Sequence, residues 1–100
     1  MPFVSTLVCS SALLLGNIDS SHHYRIWHED DLSRKGAETI INDIAMNLCG
    51  KSAGISSSHC KNIELNNPYT KVCVVQSRFG YFFLMKDMLD GVNIVFNRWD

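Results

Sequence analysis

The sequence predicts an α+β protein: an antiparallel five-stranded sheet flanked by helices, in the order ββαβββα. Three observations carry that expectation. Ala37, Ile40, Ile41, Ile44, Ala45 and Leu48 recur at helical spacing and form one apolar stripe. Residues 71–77 and 81–86 are two apolar runs joined across Arg78-Phe79-Gly80, as in a hairpin. Near the N-terminus β-branched Val4, Thr6 and Val8 alternate with Phe3, Ser5 and Leu7, which fits a strand.

In chain order, residues 3–9 and 12–18 are expected to be strands returning through Cys9-Ser10-Ser11. Asp19–His23 is polar and reads as loop. Tyr24–His28 alternates weakly, as a short edge strand or an extended connector would. A helix over 33–49 follows. Asp30, Asp31 and Ser33 are its N-cap candidates, and Gly50 stands where a left-handed terminal residue is expected. Its outer face carries Arg34, Lys35, Glu38, Asn42, Asp43 and Asn47. Lys51–Cys60 is rich in Ser and Gly and reads as loop, with a short strand over Asn62–Leu65 ended by Asn66-Asn67-Pro68. The hairpin strands are almost wholly apolar, so a central position covered on both faces is expected. From Asp87, the spacing of Met88, Leu89, Val92, Val95, Phe96 and Trp99 favours a second helix. The rival reading makes Asp90-Gly91 a turn into a strand over Val92–Phe96, and Gly91 weakens the helix by about 1 kcal/mol relative to Ala.

The 100 residues, 46% of them hydrophobic, bound a single domain, 1–100, with one two-layer core. Nine Lys and Arg against ten Asp and Glu exclude the large cationic excess of a broad nucleic-acid surface. No run reaches the ~18 apolar residues of a transmembrane helix. Met1–Gly16 lacks the basic start of a secretory signal, and Ser5, Thr6, Ser10 and Ser11 interrupt it, so the strand reading is preferred. Cys9, Cys49, Cys60 and Cys73 allow two disulfides, but Cys9 and Cys73 sit in apolar runs, so reduced thiols and a cytosolic setting are expected.

Chemistry is sparse. Gly50-Lys51-Ser52 lacks the second glycine of a phosphate loop, position 45 being Ala, and reads as a helix end. His22, His23, His28, Cys49, His59 and Cys60 have no zinc-ligand spacing, so no metal and no cofactor is expected. None of the serines is read as the nucleophile of a Gly-x-Ser-x-Gly elbow. A Cys49 or Cys60 thiolate with a histidine is the residual enzyme reading, and Glu29-Asp30-Asp31 are explained by capping. The chain is therefore expected not to be an enzyme and to have no small-molecule substrate. Aromatic residues exceed what one face of a small sheet buries. Phe79 at the hairpin tip and Trp99 near the terminus, with Tyr24 and Trp27, are candidates for partner binding, where Trp, Tyr and Arg dominate the energetics. Arg34 and Glu38 on the outer helix face join them.

Residues 37–86 resemble the longin-like fold of trafficking adaptors, most closely the sedlin-like subunits of TRAPP tethering complexes. Ile40–Leu48 is similar to that family's first helix, Lys61–Leu65 sits where its third strand comes, and Lys71–Gln76 with Tyr81–Asp87 looks like its central hairpin. The final helix is about half the family's length, and Tyr24–His28 is extra. The roadblock architecture of Ragulator and dynein light chains is similar as well. The resemblance implies a non-catalytic scaffold or adaptor subunit in membrane trafficking or small-GTPase regulation. It would be cytoplasmic, reach endomembrane surfaces only indirectly, and pair with other subunits or with itself. The alternative is a secreted or viral host-interaction protein with disulfides.

Overall fold

The computed structural model describes residues 21–64 and 68–99. The expected strands 3–9 and 12–18 lie outside the described residues. Within them the elements are β1 (Ser21–Trp27), α1 (Arg34–Cys49), β2 (Ser57–Asn62), β3 (Tyr69–Gln76), β4 (Gly80–Asp87) and β5 (Gly91–Arg98). The strands form one antiparallel sheet in the order β1-β5-β4-β3-β2. Within the described residues the architecture is α+β, a five-stranded antiparallel sheet with one helix.

The helix begins where the sequence indicates. Ser33 is the N-cap, its hydroxyl accepting from the Gly36 amide at 2.9 Å. Leu32 and Ala37 occupy the two positions of a hydrophobic staple and are fully buried. Gly50 ends the helix at φ 70°, its amide donating to the Met46 carbonyl. The predicted stripe then packs on one sheet face: Ala37, Ile41 and Ala45 meet Cys73 and Val75 of β3, Phe82 and Leu84 of β4, and Val92, Ile94 and Phe96 of β5. Strand alternation places those sheet residues on the same side.

The hairpin is confirmed, and β4 is the central strand. Gly80 is required there, because a Cβ would stand 2.2 Å from the Asn97 carbonyl oxygen of β5. Only one hairpin face meets the helix. On the other, Val72, Val74, Phe83, Met85 and Val95 are half-buried, and no described element lies over them.

Several expectations are corrected. Residues 88–99 are not a second helix: Asp90 takes φ 57°, and 91–98 form β5, hydrogen-bonded on both sides. Pairing with β1 on one edge and β4 on the other engages the backbone along this strand, which outweighs a helical period interrupted by glycine. Residues 21–23, expected as loop, open the edge strand β1, which continues through 24–27 as the edge-strand reading had it. The strand expected over 62–65 is absent at 63 and 64, and the Ser-rich 57–60, also expected as loop, belongs to the other edge, β2, which ends at Asn62. That strand has no apolar face of its own and is held by its pairing with β3. Finally, the described cysteines are not reduced thiols. Cys60 and Cys73 are directly opposite across β2 and β3 and form a disulfide, Cys49 is also disulfide-bonded, and no described cysteine is free. An apolar neighbourhood is compatible with a thiol, but strand register decides whether two of them meet.

Candidate interaction site

Asp87 closes β4 and organises the turn into β5. Its Oδ1 accepts from the amides of Leu89 at 2.8 Å and Gly91 at 3.0 Å, the local pattern by which Asp shapes a turn. Its Oδ2 accepts from Arg25 Nε at 2.7 Å and from Asn93 Nδ2 at 2.8 Å. Arg25, on β1, also donates through Nη2 to the Leu89 carbonyl at 3.1 Å. The Arg25 hydrogen bond, helped by the two turn amides and Asn93, holds the Asp87 carboxyl far below the usual carboxylate range against the opposing effect of desolvation. Gly91 makes this possible, since a Cβ there would lie 2.2 Å from the guanidinium carbon. The His28 amide then bonds the Asp90 carbonyl at 2.8 Å, joining the turn to the chain leaving β1.

This polar hub leaves apolar groups outside. Met88 is 72% exposed, Leu89 77% and Trp27 68%. Trp27 is paired with Gly91, so all three residues occupy one end of the sheet. A groove of about 450 Å³ lies beside the turn, between Pro68 and Tyr69 on one wall and Met88 and Leu89 on the other, with Asp87 and Asn93 also lining it. A second groove of about 620 Å³ runs along the helix-free side of β2 and β3, past His59, Ile63, Val72 and Val74.

The sequence-predicted residues are not gathered in one place. Trp27 is at this end. Trp99 is at the opposite end of β5, 37% exposed, its indole Nε1 donating to the Ser77 carbonyl at 2.9 Å and its ring 4.7 Å from that of Tyr81. Phe79 is a correction: it is only 6% exposed. The Ser77 hydroxyl folds the turn back by accepting from the Phe79 and Gly80 amides, and Arg78 bonds the Ala53 carbonyl. The ring is thus drawn in beneath Lys51 and Arg78, each 5.9 Å from its centroid. Arg34 is exposed on the first turn of α1, whereas Glu38 is half-buried and accepts from the Ser58 hydroxyl. Tyr24 pairs through its backbone with Ile94, and its side chain lies outside the described residues.

Met88 and Leu89 were missed because the helical reading assigned them to a buried stripe; the Asp90-Gly91 dipeptide was the signal for the turn that exposes them. One pattern also went unrecognised, since Gly50-Lys51-Ser52-Ala53-Gly54 has Gly-x-Ser-x-Gly spacing. It follows a helix, however, and Ser52 does not adopt the positive φ of a strained elbow. The thiolate reading fails because Cys49 and Cys60 are oxidised. Among the described residues no three His, Cys, Asp or Glu gather as metal ligands, and no helix is long and apolar enough to cross a membrane. Compared with known protein families, curated proteins and solved structures, the chain matches none. The site is therefore read from its geometry alone.

Proposed function

We propose that this chain is a small, non-catalytic protein-binding module of an oxidising compartment, which engages its partner through Trp27, Met88 and Leu89. The observation that carries the reading is the exposure of three large apolar side chains at one end of the sheet, two of them on a turn that is already fixed by its own hydrogen bonds. A rigid apolar projection loses little conformational freedom on docking, and such residues act as anchors at interfaces. The disulfides support the compartment, because stable cystines belong to secreted, luminal or surface-exposed proteins.

A longin-like or roadblock-like scaffold in vesicle trafficking or GTPase regulation is the reading that the resemblance implied. It shares the non-catalytic sheet-and-helix body, but a cytosolic subunit would have its cysteines reduced, and the oxidised pair favours the extracytoplasmic module. Affinity capture from extracellular fluid tests the proposal. Proteins retained by the wild type are lost with a Trp27→Ala/Leu89→Ser variant of unchanged unfolding midpoint. Identical capture by both, or alkylation of Cys60 before reduction in protein taken from its native source, sinks it.

A further inference from the structure

Exposed carboxylates neighbour the apolar tip in the chain. Glu29 and Asp30 follow Trp27 by two and three positions, and Asp90 follows Leu89 directly, so all three flank the exposed side chains, and all three are exposed. The nearby cations are committed. Arg25 pairs with Asp87, Lys71 with Asp31, and Lys86, itself 6% exposed, donates to the His28 carbonyl. Arg34 and Lys35 stand on the first turn of α1, and among the described residues neither they nor any other Lys or Arg forms an ion pair with the three carboxylates.

Resting on the binding-module reading, we propose that the partner presents a cationic segment with an apolar anchor: a basic, amphipathic stretch of polypeptide. Its anchor seats against Met88, Leu89 and Trp27, and its Lys or Arg side chains meet Glu29, Asp30 and Asp90. Asp87 takes no part, because its oxygens are already engaged by Arg25, Asn93 and two amides. The groove thus offers an apolar wall in which the one carboxylate is already engaged, and the charge that selects the partner lies on the rim, where it governs encounter and specificity. An anionic membrane is repelled by the same rim.

Labelled peptides test this by fluorescence anisotropy against the whole, oxidised chain. A short amphipathic peptide of lysine and leucine binds, while its glutamate-leucine and lysine-serine counterparts do not. A Glu29→Gln/Asp30→Asn/Asp90→Asn variant weakens binding by about tenfold or more at low salt and loses its salt dependence. Asn suits position 90 because it adopts the left-handed conformation readily. Asp43→Asn, on an exposed position of α1, leaves affinity unchanged. Equal binding of the glutamate-leucine peptide, retention of affinity in the triple variant, or capture by phosphatidylcholine vesicles instead overturns the partner chemistry and leaves the apolar tip standing. If Met88→Ser and Leu89→Ser alter the binding of no probe, the binding-module reading falls with it.

Discussion

Arg25 Nε lies 2.7 Å from Asp87 Oδ2 across 62 residues of sequence, and this contact ties the edge strand β1 to the turn between β4 and β5. Arg25 then reaches the Leu89 carbonyl, so one guanidinium holds both the carboxylate that shapes the turn and the turn itself.

The contact has a defined pH signature. Asp87 titrates lower in the folded chain than its unfolded value of about 3.9, so on acidification the unfolded chain takes up the proton first. Its stabilisation is complete above that unfolded value and is lost as pH falls toward the folded one. Asp87→Asn is expected to be less stable than the wild type at neutral pH, with a gap that closes below about pH 4. Urea midpoints measured over a pH series check this; a gap independent of pH would remove the carboxylate as its source.

Two glycines separate rigid from yielding neighbours. At Gly80 an added Cβ meets the Asn97 oxygen at 2.2 Å and the Arg98 Cα at 2.6 Å, both backbone, and φ is 155°. Gly80→Ala is expected to cost at least about 2 kcal/mol. At Gly91 the obstacle is the mobile end of Arg25, which can swing away. Gly91→Ala should therefore cost much less, yet bring the Asp87 carboxyl back up toward the ordinary range in an NMR titration. Equal losses of stability at both positions would contradict this ordering.

The Cys60–Cys73 bridge closes a short loop, its ends 13 residues apart. Chain-entropy accounting gives about 3 kcal/mol for a loop of this size, most of it through restriction of the unfolded chain. A Cys60→Ala/Cys73→Ala variant should show that loss in chemical denaturation, with β2, the edge strand, exchanging its amides fastest. Unchanged stability would mean that pairing with β3 alone suffices.

Two aromatic truncations distinguish core from surface. Phe79→Ala removes a ring that is 6% exposed and is expected to cost about 3 kcal/mol or more. Trp27→Ala removes one that is 68% exposed and should change stability by no more than about 0.5 kcal/mol. Thermal melts of the two variants read the difference directly, and a reversal of order would misplace both rings.

Local patterns were legible wherever local physics decides. Ser33, the stripe from Ala37 to Ala45 and Gly50 specify the helix from its cap to its end, and the apolar runs on either side of Gly80 specify the hairpin. The segment after Asp87 was ambiguous for a physical reason: Val92, Val95 and Phe96 satisfy a helical spacing, and Val92, Ile94 and Phe96 satisfy a strand spacing equally well. The choice belongs to β1 and β4, which supply hydrogen bonds on both edges of that segment. Likewise the Ser-rich edge strand β2 has little strand propensity and exists because β3 lies beside it.

By itself, then, the chain's order of residues determined the α+β class, the amphipathic helix that begins after Ser33 and the central hairpin, since those follow from period, capping and turn chemistry within a few residues. Tertiary structure alone decided that Cys60 meets Cys73, that Arg25 meets Asp87, that Phe79 turns inward and that Met88 and Leu89 turn outward. The two pairings depend on strand register between distant segments, a property of paired backbones that no short stretch of sequence contains, and the two turns take their orientation from the strands that they join.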